Sequence, residues 1–346
     1  MKLDFPKKVS MTELLARDGF QHERHFVPTD TKVFFIDACS EAGYKTVEVT
    51  NFSHPKYLPQ ARDAEEVLKK IKRNPGVEYK CYGMTDKAVE RAVAAKEAGY
   101  GPDILAFTIS TTDAHCMRNA NRPVEKFFEQ IPNWAKMCNS VGIKLDMAIA
   151  CVFGCPITGP VPLEKTFELI EKGLEMGCSC ASPCDTTGEA APDRVYEFFT
   201  RLREKFPNDD VHRAHFHDSR GMGLTNYFAA LMAGVTVFEA SLGQLGGQPS
   251  YIVDGVPGIG TGWLYTPSDI TGNGSTEDLV VMFDEIGVDT GVDVDRVLEL
   301  GRILEHVLER DLRPYTTKTG RIPKGRVDWG TSIPPYIAQP WTHPNR

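Results

Sequence analysis

The chain has 346 residues, 41% hydrophobic and 25% charged, enough to bury a sizeable core as one large domain or two smaller ones. A formal charge of -8 without a dense Lys/Arg run argues against nucleic-acid or anionic-membrane partners, and the most basic cluster, Lys69-Lys70-Ile71-Lys72-Arg73, reads as a solvated helix face. No run approaches the ~18 uncharged apolar residues of a membrane span. The start, Met1 to Pro6, has no apolar signal core, and nine cysteines without paired spacings suit reduced thiols, so the expected location is the cytoplasm.

In chain order one phrase recurs: an amphipathic helical pattern ends in Gly, and a short β-rich run follows. The expected strands are Val9–Ala16, Thr46–Thr50, Val77–Tyr82, Ile104–Phe107, Ile143–Cys151, Cys178–Cys184, Val211–His217 and Val235–Phe238. Helices are expected over Asp63–Arg73, Asp86–Ala98, Pro162–Glu175 and Pro192–Lys205, from apolar residues at three- and four-residue spacing. Gly43, Gly99, Gly142, Gly177 and Gly234 stand where a left-handed residue lets the chain reverse from helix into strand. Eight alternating units imply a parallel sheet closed as a (β/α)8 barrel. No Gly-x-Gly-x-x-Gly follows the first strand, which weighs against an open dinucleotide-binding sheet.

In such a barrel, function lies at the carboxyl ends of the strands. Polar residues at those ends are Arg17 and Asp18, Glu48 and Asn51, Asp185 and Thr186, and His215, His217 and Asp218. Each has an ordinary explanation alone: Arg17 with Asp18 as an ion pair, Glu48 as a buried hydrogen-bond partner, Asp185 as a helix cap. Strand alternation puts His215 and His217 on one face, and an Asp oxygen with two neutral imidazoles suits an octahedral divalent ion with open positions. Other features carry less. Cys178, Cys180 and Cys184 read as small apolar barrel residues, and His115, Arg118 and Arg122 after the fourth strand could meet a carboxylate or a CoA phosphate but read best as a solvated loop.

Seven ordered motifs between Val9 and Leu308 carry a resemblance: Arg17-Asp18-Gly19-Phe20-Gln21; Glu48-Val49-Thr50-Asn51-Phe52 with Pro55 to Gln60; Cys151 to Pro156; Asp185-Thr186-Thr187-Gly188; His215-Phe216-His217-Asp218; Leu245-Gly246-Gly247; and Gly272 to Leu279. Together they resemble 3-hydroxy-3-methylglutaryl-CoA lyase, within the metal-dependent lyase and condensing-enzyme barrels. The resemblance implies a (β/α)8 barrel with Mg²⁺ or Mn²⁺ held by Asp18, His215, His217 and Asn273. It implies that Arg17 stabilises an enolate oxygen, with Glu48 and Asp185 as supporting polar residues at the catalytic centre. The implied reaction is carbon–carbon cleavage of a 3-hydroxy acid or its CoA thioester. Such cleavage leaves an enolate, so the site needs a base for the hydroxyl, a cation on the oxygens and an acid for the carbanion. The two histidines must stay neutral to coordinate, so activity falls at acid pH.

One departure from the pattern matters. The family's acid/base cysteine after Gly-Gly is here Gln248, and an amide exchanges no proton near neutral pH. The segment from Gln248 to Asn273 is long and Gly-punctuated, as a lid above a barrel mouth would be. It offers Tyr251, Tyr265 and Asp269 as substitute proton donors, with Tyr265 taken as the catalytic candidate; Cys155 is a second choice, and a related reaction that needs no thiol is a third. The alternatives at the level of function are a Claisen-type condensing enzyme, a CoA-independent aldolase, and a barrel that only binds. Residues 1–309 are expected to form the catalytic domain. The tail 310–346, with Trp329 and Trp341, is expected to pack on the barrel or on a second subunit of a homodimer or higher homo-oligomer. Replacing Tyr265 with Phe is expected to abolish turnover while leaving metal occupancy intact; unchanged turnover removes Tyr265 from the candidates.

Overall fold

Eight short runs pair in parallel with their chain neighbours: β1 (Ser10–Glu13), β2 (Thr46–Asn51), β3 (Glu78–Tyr82), β4 (Ile104–Ser110), β5 (Lys144–Ala150), β6 (Cys180–Asp185), β7 (Arg213–Phe216) and β8 (Val237–Ala240). β8 also pairs with β1, Met11 opposite Phe238 and Glu13 opposite Ala240, so the sheet closes into a (β/α)8 barrel. The computed structural model describes residues 3–56, 58–207, 211–247, 250–253, 256–259 and 272–325. Helices Thr29–Glu41, Ala64–Lys70, Asp86–Glu97, Val124–Ser140, Leu163–Glu175, Pro192–Lys205, Gly223–Met232 and Thr276–Glu285 follow the strands in turn. Gly43 and Gly177, at φ 106° and 101°, make the helix-to-strand reversals, and Gly99, Gly142 and Gly234 do likewise.

The expected order of elements holds, and the boundaries differ for physical reasons. β1 stops at Glu13 rather than Ala16 because the chain turns: the Glu13 carboxylate accepts from Leu15 N at 3.0 Å, and Leu14 O accepts from the amides of Arg17, Asp18 and Gly19. β4 runs on to Ser110 and β8 on to Ala240, each residue paired across the register. The segment after β8, expected as a long loop, contains a two-stranded antiparallel hairpin of β9 (Ser250–Val253) and β10 (Val256–Ile259).

Alternation sorts the side chains. In β5, Leu145, Met147 and Ile149 pack outward beneath the helices and are fully buried, while Asp146, Ala148 and Ala150 point into the barrel. Outside, Phe107, Phe127 and Trp134 form one aromatic cluster, and the Trp134 indole donates to Asp86 Oδ1 at 2.6 Å. A second series runs from Phe153 through Phe216 and Tyr227 to Phe238 and Phe283, with neighbouring centroids 4.9–6.1 Å apart. Burying each such ring contributes roughly 2–3 kcal/mol.

The barrel interior is plugged by charge. Lys80 Nζ lies 2.9 Å from Asp146 Oδ2 and 3.1 Å from Glu239 Oε1, all three buried. Burial opposes ionisation of each, yet the opposite charges outweigh it: the lysine is held above its ordinary range, and the carboxyls below theirs. Deleting one member of such a set costs about 3–5 kcal/mol because it strands a buried charge.

Behind β8, the described part of the tail, 310–325, is tied to two helices. Asp278 accepts from Thr316 N at 2.8 Å, Arg321 pairs with Asp284 at 2.7 Å and Asp295 at 3.1 Å, and Leu312 N donates to Glu305. Residues 326–346, with Trp329 and Trp341, lie outside the described residues. All nine cysteines are buried and free. Among the described residues no helix is long and apolar enough to cross a membrane.

Glu277, in the first turn of Thr276–Glu285, is buried and accepts from Gly243 N at 2.8 Å. Burial pushes its carboxyl up from 4.5 to about 8. A raised carboxyl contributes stability that is complete below pH 4.5 and is lost as pH rises through about 8. Glu277→Gln removes that loss, so the gap in thermal midpoint between variant and wild type widens by several degrees from pH 5 to pH 8.5. A gap independent of pH in calorimetric scans would contradict this.

Candidate metal centre

The turn after β1 carries Arg17 and Asp18, β2 carries Glu48, and β7 with the residue beyond its end carries His215 and His217. Asn273 arrives from far along the chain because residues 272–274 lie against the end of β7: Asp218 N donates to Gly272 O at 2.7 Å and Gly274 N to Phe216 O at 2.9 Å. Gly246 makes this approach feasible. It has φ 82°, and a Cβ there would stand 2.4 Å from Asp18 O and 2.8 Å from Asn273 Nδ2.

Ligand atoms of Asp18, His215 and His217 all lie within 4.8 Å of one another. His215 Nδ1 faces Glu239 Oε2 at 3.2 Å, and His217 Nδ1 makes a very short contact with Thr186 O. Both acceptors call for a proton on Nδ1, which leaves each Nε2 unprotonated. These two Nε2 atoms are 3.0 Å apart. Lone pairs that close repel unless a cation lies beside them, and 3.0 Å is the spacing of adjacent nitrogens about 2.1 Å from an octahedral ion. Asn273 Nδ2 donates to Asp18 Oδ2 at 2.7 Å and to Leu245 O at 2.9 Å, while its Oδ1 is buried with no hydrogen-bond partner among the described residues. The donor set therefore fits a divalent cation, with Asp18, His215, His217 and the orphaned Asn273 oxygen to offer it.

Arg17 is fixed on three sides. It donates to Asp18 Oδ1 at 2.6 Å, pairs with Glu48 Oε2 at 3.2 Å and lies over the Tyr82 ring at 4.2 Å. Burial alone would raise the Asp18 carboxyl, but the guanidinium outweighs it and holds the group well below the usual carboxylate range. Burial, helped by His215, lowers His217 to about 3, so its ring stays neutral. Arg17, Asp18, Glu48, His215 and His217 all line one cavity of about 670 Å³ at the carboxyl ends of the strands.

Asp185 stands apart from that wall. Its Oδ1 accepts from Glu189 N at 2.7 Å and Ala190 N at 3.2 Å, which shapes the loop presenting Thr186, and burial raises its carboxyl to about 7. Cys155 likewise lies off the cavity wall, 3.2 Å from Thr112 Oγ1, with its thiol lowered to about 4 by a hydrogen bond from Cys151. Gln248, Tyr265 and Asp269 lie outside the described residues, and Tyr251 falls in the backbone of β9. The loop expected to be solvated after β4 is instead part of the site. Helix Asp113–Ala120 starts shortly after the strand, buries His115 and brings Arg118 to the cavity, and Arg122, in the bend beyond the helix, lines it too. Sequence reasoning missed Glu239 and Lys80; the available signal was a charged residue at an inward position of an apolar strand.

The family model described as HMGL-like matches residues 8–304. The chain belongs to the HMGL-like family. It is 33% identical over 306 residues to the mitochondrial hydroxymethylglutaryl-CoA lyase of Bos taurus, covering 88% of this chain and 87% of that one. It is 32% identical over 313 residues to the hydroxymethylglutaryl-CoA lyase YngG of Bacillus subtilis (strain 168), covering 90% and 96%. The structure of an HMG-CoA lyase from Acenitobacter baumannii, in complex with coenzyme A and 3-methylmalate, superposes with TM-score 0.82 at 30% identity over 95% of this chain and all of that one. The barrel of this HMGL-like protein is thus a shared scaffold, and its mouth holds the donor set described above.

Asp18→Ala and His217→Ala are each expected to weaken divalent-cation binding by at least about a hundredfold in titration calorimetry, with the circular dichroism spectrum unchanged. Unaltered affinity in both would remove these residues from the centre.

Proposed function

We propose that the protein is a divalent-metal-dependent carbon–carbon lyase that cleaves a 3-hydroxyacyl-CoA, or the corresponding 3-hydroxy acid, to an acyl product and a keto acid. The observation that carries this reading is the convergence of Asp18, His215 and His217 within 4.8 Å, with Arg17 2.6 Å from Asp18, in a chain of the HMGL-like family. The names of the relatives, and the coenzyme A and 3-methylmalate in the Acenitobacter baumannii complex, support a CoA thioester of a branched hydroxy acid as the substrate class.

In this reading Asp18, His215, His217 and Asn273 hold Mg²⁺ or Mn²⁺. When bound, the ion supplies a Lewis-acid charge that lowers the pKa of the substrate's tertiary hydroxyl. Arg17 supplies a permanent charge where the enolate oxygen develops, and its three fixed contacts pre-orient the guanidinium so that little reorganisation accompanies the reaction. Glu48 acts through Arg17 by holding its Nε side, and Asp185 acts through the loop that presents Thr186 to His217. The proton for the departing carbanion comes from the segment after Gly247, with Tyr265 the proposed donor. Residues 1–309 form the catalytic domain and 310–346 its extension, in a cytoplasmic homo-oligomer.

Purified protein incubated with Mn²⁺ and hydroxymethylglutaryl-CoA or its analogues is expected to release a keto acid detectable by mass spectrometry. Arg17→Gln is expected to lower kcat at least a hundredfold, roughly the loss that follows removal of one transition-state donor, without lowering cation affinity. Turnover that survives complete chelation of metal, or no keto acid from any hydroxyacyl-CoA, would sink the proposal.

A further inference from the structure

The interior of a (β/α)8 barrel is ordinarily filled by layers of bulky branched side chains. Three neighbouring strands here present small ones instead. Thr108 of β4 pairs with Ala148 of β5, and Ala148 pairs with Ser182 of β6, a row across the inner wall. Ala106 and Ala150 occupy the adjoining inward positions. The outward positions of the same strands hold Phe107, Met147 and Ile149, all fully buried. On β4 and β5 the bulk is therefore on the outward side, while β6 is small on both faces, with Ala181 outward and Ser182 inward. All five small residues line the cavity that also reaches His215 and His217, so the 670 Å³ space extends from the metal centre down to Lys80 and Glu239.

The floor of this chamber is electrically closed. The Lys80 ammonium is held by Asp146 at 2.9 Å and Glu239 at 3.1 Å, Ser182 Oγ donates to Asp146 at 2.9 Å, and Arg213 balances the second carboxylate. Among the described residues of this floor the two cations balance the two carboxylates, and the walls are Ala106, Ala148 and Ala150 with the hydroxyl-bearing Thr108 and Ser182.

We propose that the chamber framed by Thr108, Ala148 and Ser182 is the subsite for the substituent on the reacting carbon. It takes an uncharged, largely apolar group of several carbons, larger than methyl. The inference rests on the lyase reading above and deepens it by naming the substrate class.

The test uses Mn²⁺-loaded protein and a series of 3-hydroxy-3-alkylglutarates bearing methyl, propyl or pentyl groups, with binding followed by calorimetry. A buried methylene is worth about 0.8 kcal/mol, so affinity is expected to tighten about fourfold per added carbon until the chamber is full. Ala148→Phe and Ala148→Leu are expected to remove at least tenfold of the propyl and pentyl affinity relative to methyl, and to keep or raise the thermal midpoint. Wild-type binding that is flat or weaker with chain length, no measurable binding by any member, or variants that keep the long-chain preference would overturn the proposal. If Ala148→Phe does not fold, the wild-type series and Ala148→Leu decide. Turnover of the matching CoA thioesters separates the two readings. Chain-length-dependent binding without cleavage sinks the lyase and leaves the chamber, whereas cleavage of the methyl thioester without chain-length gain sinks the chamber and leaves the lyase.

Discussion

Glu239 is the hinge between the barrel's interior and its mouth. One carboxylate oxygen accepts from Lys80 in the plug, and the other faces His215 Nδ1. Burial opposes the charge of this carboxylate, and the Lys80 ammonium, with His215 and Arg213, outweighs it. The same anion fixes the imidazole tautomer, which leaves Nε2 bare toward His217. The charge balance of the plug and the donor geometry of the mouth are therefore one arrangement, and disturbing Lys80 or Asp146 would be felt at His215.

The opposite side of the mouth repeats the logic with different groups. Asp18 is buried, and Arg17, Asn273 and Gly247 N surround its two oxygens. Arg17 in turn is held by Glu48 and the Tyr82 ring, so a chain of contacts runs from β2 and β3 to the turn after β1. Such a frame suits a site where charge develops during reaction, because its dipoles are set before substrate arrives. Rigidity comes from the barrel.

The inner wall sets a different limit. Large outward residues on β4 and β5 hold the helices, and small inward ones on β4, β5 and β6 open space beside His215 and His217. The scaffold keeps its apolar packing on the outside, and above the charged plug the inside is open. This separation of packing from binding is what lets one barrel serve substrates of different shape.

Much of this was legible in the chain itself. The recurring helix–Gly–strand phrase determined the eight-unit barrel, because a left-handed residue after each helix is a local backbone demand. Period-two alternation put His215 and His217 on one face, and position at a strand end pointed to Arg17, Asp18 and Glu48. Only the tertiary structure decided the rest. Asn273 reaches Asp18 across 255 residues of sequence through main-chain bonds that no local pattern encodes. The loop reading failed for His115, which a helix buries, while the exposed Arg118 and the half-buried Arg122 line the cavity. Asp185 sits at a strand end like the others, yet its side chain turns to cap its own loop. Local sequence determines where a side chain can point; what it meets there depends on which strands closure of the barrel brings together.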